Sequence, residues 1–255
     1  VTGSPEKAQD YKTKYNIPDK NIYNYENFDT IKDNPDIDII YIVLPNSMHA
    51  EFTIRAAKAG KHVICEKPMA ITVEDCDAMI KACDEAGKKL AIGYRLHFDP
   101  YNLEMMKYGR EKTFGEIKKL DAAFGFTIGG PQWRLSKTLA GGGPLMDVGI
   151  YAIQGMCYTL GKEPISVIAK EDKKTDLEKF KEVEQSLSWQ FEFDNGFIAK
   201  GKSSYAENYG YLKAEATNGN FGLEPAYIYN GLDGYNPNGK ITFPPMNQQA
   251  AHMDD

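Results

Sequence analysis

Three short segments bring together side chains that can bind a ligand or move a proton. They run from Leu44 to His49, from Glu66 to Pro68, and from Ala140 through three glycines to Tyr151. The last segment places a carboxylate, Asp147, four residues before the phenol of Tyr151, which predicts one turn of separation on a helix face. A carboxylate and a hydroxyl beside a lysine are suitable groups for general acid–base catalysis.

Each segment also has a purely structural interpretation. His49 fits the first turn of a helix that follows a strand, and Lys67 fits a surface lysine paired with Glu66. Asp147 and Tyr151 fit a solvated helix face behind a flexible linker. The position of the first two segments favours function, because ligands of open α/β sheets bind outside the carboxyl ends of the strands.

Further residues carry weaker signals. Trp133 and Arg134 lie side by side in a Gly/Pro-rich stretch, and an aromatic plane beside a guanidinium suits a sugar or an anion. His62 and His97 have no partner at metal-ligand spacing, so we expect no metal site. The sequence contains neither the G-x-S-x-G pattern of serine hydrolases nor a G-x-G-x-x-G turn.

The elements of the first half alternate between strands and helices. Ser4 is suited to cap a helix, and the apolar run Ile37 to Leu44 predicts a strand buried on both faces. Thr72 and Asp75 form a capping-box pattern at the start of another helix. Further strands are predicted at 61–66 and 89–94, and further helical residues at 50–59 and 73–86. This order predicts parallel βαβ units.

The second half has the pattern of an antiparallel sheet. Residues 182–194 alternate between apolar and polar side chains, as expected for a strand with one wet face. The dipeptides Asn195-Gly196 and Asn218-Gly219 predict hairpins, and the charged run 170–182 predicts a solvated loop. The sequence therefore predicts an α/β domain over residues 1–100, followed by an α+β domain with a mostly antiparallel open sheet over residues 101–255.

Composition excludes several classes of partner. The 255 residues include 30 basic and 36 acidic side chains, a formal net charge of −6 that argues against nucleic acid. The longest purely apolar run, Ile39 to Leu44, is far shorter than the ~18 residues of a membrane helix, so we expect a soluble protein. Its location is left open between the cytoplasm and the periplasm. The four cysteines form no C-x-x-C pair, which predicts reduced thiols.

Taken together, these segments resemble the Gfo/Idh/MocA family of NAD(P)-dependent oxidoreductases. The resemblance rests on residues 61–68 (Lys-His-Val-Ile-Cys-Glu-Lys-Pro) and 143–151 (Gly-Pro-Leu-Met-Asp-Val-Gly-Ile-Tyr), and it extends over nearly the whole chain. It implies an incomplete Rossmann-type, doubly wound parallel sheet in which residues 1–3 end the second strand. We therefore expect a fragment that lacks the first strand, the glycine-rich turn and the C-terminal segment.

The resemblance also implies roles for individual residues. Lys67, Asp147 and Tyr151 would form the proton-relay group at the substrate, although many relatives carry histidine where this chain has Tyr151. The cofactor would contact residues from several loops, namely Gly3, Ser4, Lys7, Leu44, Pro45, Asn46, His49, Glu66, Lys67, Arg95, Trp133 and Arg134. No metal is implied.

The family resemblance implies hydride transfer between a nicotinamide cofactor and a sugar or polyol. NAD-binding relatives usually place a carboxylate after the second strand, whereas this chain has Thr2-Gly3-Ser4 with Lys7 one turn later. Hydroxyls and a lysine favour NADP, with NAD as the alternative. Two other functions remain open, an NAD-assisted glycosidase and a non-catalytic sugar- or cofactor-binding relative. A homo-oligomer formed through the open sheet is also expected.

Overall fold

The structure is a computed structural model that describes residues 1–254. Its contacts divide the chain into two compact units, one from Val1 to Ile92 and one that begins at Gly93. The domain boundary between residues 100 and 101, which was inferred from the sequence, stays a prediction.

The first unit is an α/β unit, as predicted. Within residues 1–92, its sheet has the order β1-β2-β3, and β1 and β2 pair in parallel with Ile42 opposite Cys65. The bounds are α1 Pro5–Tyr15, β1 Ile39–Ile42, α2 His49–Lys58, β2 His62–Glu66, α3 Val73–Glu85 and β3 Leu90–Gly93.

Local capping explains where two of the helices begin. The Ser4 side chain accepts a hydrogen bond from the Lys7 backbone N–H, and Pro5 fills the first helical position of α1. The Thr72 side chain accepts from the Asp75 N–H at the start of α3. Both caps match the sequence prediction.

The prediction that the first strand is buried on both faces is wrong. Ile39 is 56% exposed and Val43 is 65% exposed, whereas Ile42 is 3% exposed. The reason is that α2 and α3 contribute to one apolar core, which they share with Ile42 and Val63. The side chains that alternate with Ile42 along β1 therefore face away from that core.

The second unit is built on a mostly antiparallel sheet. Within the described residues, this sheet has eight strands in the order β11-β10-β9-β8-β4-β7-β6-β5, and β4 and β7 are its parallel pair. The bounds are α4 Pro100–Arg110, β4 Ile117–Gly125, α5 Lys137–Ala140, α6 Ile150–Leu160, β5 Ser166–Glu171, β6 Ser186–Glu192, β7 Ile198–Ser204, β8 Tyr209–Ala216, β9 Gly219–Leu223, β10 Gly234–Asn236, β11 Gly239–Ile241 and α7 Gln248–Asp254.

Both predicted Asn-Gly hairpins are confirmed, because β6 pairs with β7 and β8 pairs with β9 in antiparallel register. The solvated loop over 170–182 is only partly correct. Strand β5 includes Lys170, and Phe180 is buried in a small apolar cluster with Ile128 and Tyr205. The many charged residues around Phe180 in the sequence predicted an exposed loop, so its burial was not expected.

The predicted wet face of the strand at 182–194 also needs correction. The observed strand β6 is shorter, and Ser186 is buried, where its hydroxyl lies 2.7 Å from that of Ser204. Glu184 lies ahead of the strand and binds backbone N–H groups of a distant turn. Paired polar groups can be buried, and alternation alone does not reveal such pairs.

Cys65, Cys76, Cys83 and Cys157 are free thiols. Burial raises the pKa of the Cys65 thiol to about 12. Among the helices of residues 1–254, none is long and apolar enough to cross a membrane. The same residues contain no cluster of three or more potential metal ligands.

Candidate functional site

The first group of predicted site residues lies on two loops of the first unit, which we call the strand-end loops (residues 43–48 after β1 and 67–72 after β2). Pro45 begins a short turn in which Asn46 is 5% exposed. Glu66 ends β2, where its carboxylate accepts hydrogen bonds from the Tyr41 hydroxyl and, at 3.3 Å, from the Lys67 backbone N–H. Parallel pairing of β1 with β2 places both loops at the same sheet edge.

His49 is fully buried at the start of α2. Its Nδ1 lies 2.8 Å from the carbonyl oxygen of Pro68, and its Nε2 lies 2.9 Å from the carbonyl oxygen of Leu44. These contacts differ from the expected direct contact with a cofactor, because both ring nitrogens face backbone oxygens.

A cleft of about 440 Å³ lies beside the N-terminus of α1. Gly3 and Ser4 line it, and a Cβ atom on Gly3 would lie 2.7 Å from the ring of Tyr25, so only glycine fits at this approach. Ser4 Oγ donates to Glu6 at 2.9 Å and accepts from the Lys7 N–H at 3.2 Å. Backbone N–H groups and hydroxyls at a helix N-terminus fit a phosphate-bearing ligand.

The glycine turn of the second unit (residues 141–144) is held by a residue distant in sequence. The Glu184 carboxylate accepts from the N–H of Gly143 at 2.8 Å and from that of Leu145 at 3.1 Å. A Cβ on Gly143 would lie 2.5 Å from the Glu184 carbonyl oxygen. Close approach of two backbones therefore requires glycine here.

The residues after this turn form a π-helical turn, Leu145–Gly149, before α6 begins. The N–H of Ile150 donates to the carbonyl of Leu145, five residues back. The sequence predicted a regular helix with Asp147 and Tyr151 on one face. A π turn is wider than an α turn, so the two side chains are not separated by a regular helical turn.

Asp147 is held by side chains from two other elements. Arg134 Nε lies 3.2 Å from Asp147 Oδ2, and the Tyr205 hydroxyl donates to the same oxygen at 3.0 Å. The guanidinium also lies 4.5 Å from the ring centroid of Trp133. The structure therefore joins two separately predicted segments, Trp133-Arg134 and Asp147, in one cluster.

Tyr205 is a fixed donor in this cluster. Burial, followed by the negative charge of Asp147 and its hydrogen bond, raises the pKa of the Tyr205 phenol far above its ordinary value. The phenol therefore stays protonated and donates to Asp147. A carboxylate that accepts from a guanidinium and a phenol has a fixed orientation.

Tyr151 is 5% exposed and lies in an aromatic cluster with Tyr94, Phe124 and Tyr227. The Arg95 guanidinium lies 5.2 Å from the Tyr151 ring centroid. The same guanidinium donates to the carbonyl of Tyr227 at 2.6 Å and to the side chain of Gln248. Within the described residues its Nε is buried without a hydrogen-bond partner, and the contact of Arg95 with a cofactor stays a prediction.

Two family models match the chain. The model described as "Oxidoreductase family, NAD-binding Rossmann fold" covers residues 1–94, and the one described as "GFO/IDH/MocA C-terminal domain" covers residues 103–223. A solved structure, the aldose-aldose oxidoreductase from Caulobacter crescentus complexed with glycerol, is 44% identical with a TM-score of 0.95, over 100% of this chain and 78% of that one. The chain belongs to the Gfo/Idh/MocA family of oxidoreductases.

Curated Gfo/Idh/MocA relatives include enzymes named for sugars. D-xylose 1-dehydrogenase [NADP(+)] of Haloarcula marismortui is 29% identical over 89% of this chain and 64% of its own length. D-glucoside 3-dehydrogenase of Escherichia coli K12 is 34% identical over 67% of this chain and 53% of its own length. The chain spans between 45% and 64% of the length of the first curated relatives it matches.

Sequence reasoning within this Gfo/Idh/MocA chain missed Glu184 and Tyr205. Both are separated from the glycine turn by dozens of residues and belong to segments that read as ordinary strand positions. Glu184 could be recognised as a polar residue near the start of the alternating segment. Nothing in the sequence connects it to Gly143.

Proposed function

We propose that this protein is an NADP-dependent oxidoreductase that transfers hydride between a nicotinamide cofactor and an aldose or related polyol. The observation that carries the proposal is the Asp147 carboxylate, which Arg134 and Tyr205 orient beside the glycine turn. The names of the aldose-aldose oxidoreductase and the D-xylose dehydrogenase support a sugar substrate.

Oxidation of a sugar hydroxyl removes a hydride and a proton, and the nicotinamide supplies the hydride acceptor when it is bound. We assign the proton to Lys67 and Tyr151. A phenol with its ordinary pKa near 10 is a weak base, and an ammonium group stabilises the phenolate. The hydroxyl proton is transferred to the Tyr151 oxygen, with Lys67 as the cationic partner, so that both the hydride and the proton of the oxidised hydroxyl have an acceptor.

We assign Asp147 to the orientation of the sugar. Carboxylates accept hydrogen bonds from hydroxyl groups, and a carboxylate in a fixed position selects the hydroxyl that is presented for reaction. The bonds from Arg134 and Tyr205 hold this carboxylate in place. Trp133, stacked on the same guanidinium, provides an aromatic surface suited to a sugar ring.

The preference for NADP rests on the cleft beside α1. The Ser4 hydroxyl and the Lys7 ammonium would hold the ribose 2′-phosphate. Glu6 opposes this preference because its carboxylate lies 2.9 Å from Ser4 Oγ. We expect Lys7→Ala to lower the ratio of kcat/KM for NADP to that for NAD, and Glu6→Gln to raise it. A wild-type enzyme that uses NAD equally well or better would contradict the assignment.

We further propose that the bound cofactor cycles between two sugars. Residues 42–52, 93–102, 133–135 and 141–151 are similar to the glucose–fructose oxidoreductase type of this family, which implies such cycling. The test is incubation of the purified full-length protein with two aldoses, or an aldose and a ketose, without added cofactor. Stoichiometric formation of a lactone and a polyol supports cycling. Oxidation that requires added NADP indicates a simple dehydrogenase, and release of nitrophenol from a nitrophenyl glycoside indicates the glycosidase alternative.

The catalytic assignment is tested by Lys67→Met and Tyr151→Phe in the full-length protein. We expect each to lower kcat by roughly 10²-fold or more, the usual contribution of acid–base catalysis. Lys81→Met and Tyr15→Phe are matched controls, because both side chains are exposed and neither residue is a predicted site residue or adjacent to one. Wild-type kcat in Tyr151→Phe would remove Tyr151 from the mechanism.

We also propose that the open sheet of the second unit forms a homo-oligomer. Its edge strand β5 exposes Val167 and Ile168, the latter 73% exposed. A broad cleft on the sheet is lined by polar and aromatic side chains that include Lys200, Lys202 and Tyr211. Light scattering after size-exclusion chromatography of wild type and Ile168→Lys is the test, with a monomeric wild type as the contrary result.

A further inference from the structure

The strand-end loops are linked by one buried side chain. His49 belongs to α2, and its two ring nitrogens face carbonyl oxygens that belong to different loops. Nε2 lies 2.9 Å from the Leu44 oxygen in the loop after β1, and Nδ1 lies 2.8 Å from the Pro68 oxygen in the loop after β2. Both distances are in the range of protein hydrogen bonds.

These contacts leave His49 no direct route to a ligand. The residue is 0% exposed, and a ring nitrogen is the atom that an imidazole uses to bind or to exchange a proton. Any effect of His49 on chemistry must therefore pass through the two backbones it touches. One of those backbones carries Asn46 and the other carries Lys67.

The two contacts are unequal in what they connect. Leu44 lies five residues before His49 along the chain, so the Nε2 contact is local. Pro68 lies 19 residues away, so the Nδ1 contact joins α2 to the neighbouring strand's loop. Pro68 directly follows Lys67, so a proton on Nδ1 would let His49 fix the backbone next to Lys67.

We propose that His49 is a positioning residue that donates from Nδ1 to the Pro68 carbonyl and thereby holds the loop that carries Lys67. The importance of this for catalysis rests on the proposed function, in which Lys67 is the cationic partner in proton transfer. Small displacements of such a group are costly, because a shift of about 1 Å can lower a rate by 10²-fold.

Side-chain length gives a sharp test of which nitrogen matters. Asparagine places its amide nitrogen close to the position of Nδ1, whereas glutamine places its amide nitrogen close to that of Nε2. His49→Asn should therefore keep a donor at the Pro68 oxygen, and His49→Gln should instead place a donor at the Leu44 oxygen. His49→Leu removes both. Thr53→Val is the matched control, because Thr53 is also fully buried and lies one turn further along α2.

The experiment is amide hydrogen exchange of Lys67, Met69 and Ala70 in the full-length protein, measured together with kcat and KM. We expect exchange in this loop at least tenfold faster in His49→Leu and His49→Gln than in Thr53→Val, and near wild type in His49→Asn. We also expect kcat to fall more than tenfold in the first two variants, with KM for the sugar changed much less.

Equal loop exchange in His49→Leu and Thr53→Val would overturn the proposal, as would rescue by glutamine instead of asparagine. If His49→Leu fails to fold, the comparison of His49→Asn with His49→Gln still decides the matter. Absence of sugar oxidation in the wild type would refute the proposed function alone, because hydrogen exchange measures the link without any substrate.

Discussion

The strand-end loops of the first unit and the glycine turn of the second hold their chemical groups by different means. At the loops, one imidazole contacts two backbone oxygens, and the partners lie between residues 44 and 68. At the glycine turn, Glu184 holds the backbone while Arg134 and Tyr205 hold Asp147. The second arrangement draws on partners up to 58 residues away from the carboxylate.

This difference shows where information about the site resides. Parallel strands bring their carboxyl ends to one sheet edge by topology, so a short motif after each strand carries most of what the loops need. The glycine turn depends on charged side chains that arrive from other strands. A substitution far from the motif should therefore affect the second region more than the first.

The largest effect should follow from Gly143→Ala. The new Cβ would lie 2.5 Å from the Glu184 carbonyl oxygen, which cannot move without shifting the start of the strand region. We expect a loss of about 1–3 kcal/mol in the free energy of unfolding. We also expect kcat to fall by roughly 10²-fold, because the π turn that carries Asp147 must shift.

Gly142→Ala is the control for this comparison. Its Cβ would meet Met146 Cγ at 2.9 Å, and a flexible methionine side chain can move aside. Chemical denaturation and steady-state kinetics of both variants are the measurements. Equal losses in the two variants would mean that the backbone approach at Gly143 is not a special constraint.

An intermediate effect should follow from Tyr205→Phe. This change removes the hydroxyl that donates to Asp147 at 3.0 Å but keeps the ring in its apolar cluster. A hydrogen bond to a charged group contributes about 1.5–3 kcal/mol, so we expect kcat to fall by roughly tenfold or more, since 1.36 kcal/mol corresponds to tenfold.

The control for this variant is Phe126→Leu, which changes a ring that packs against Tyr205 without touching the hydroxyl. It should lower the free energy of unfolding and leave kcat close to wild type. A Tyr205→Phe enzyme with unchanged kcat would show that Arg134 alone suffices to hold Asp147.

The predictability of the two regions follows the same division. The parallel βαβ order, the caps at Ser4 and Thr72 and both Asn-Gly hairpins could be predicted, because each depends on neighbouring residues. The exposure of one face of β1 could not be predicted, since it depends on which face of the sheet the helices cover. The same holds for the buried pair of Ser186 with Ser204.

Prediction of the site followed the motifs and failed at their long-range partners. Lys67, Asp147 and Tyr151 are identified by short patterns, and their catalytic roles stay predictions. The link from Arg134 to Asp147 requires a salt bridge between two loops. Glu184 binds the N–H groups of Gly143 and Leu145 where the π turn before α6 begins, and no local pattern indicates this link.

The smallest effect concerns alkaline pH and belongs to the second unit. Burial raises the pKa of the phenols of Tyr94, Tyr205 and Tyr227 above their ordinary value. In the unfolded chain these groups ionise near pH 10, whereas in the folded protein they stay protonated. Their contribution to the free energy of unfolding is therefore fully present below about pH 10 and is lost as the pH rises above it, with a slope of about 1.4 kcal/mol per pH unit for each tyrosine.

Urea denaturation between pH 8 and pH 11 (about one unit past the ordinary tyrosine pKa) should show a shallower decline in stability in Tyr205→Phe than in wild type. Ile128→Val, in the same apolar cluster, should lower stability equally at every pH and keep the wild-type slope. Identical slopes in Tyr205→Phe and Ile128→Val would mean that Tyr205 ionises in the folded protein as readily as in the unfolded chain, and that its hydrogen bond to Asp147 is not the fixed contact that distinguishes the glycine turn from the strand-end loops.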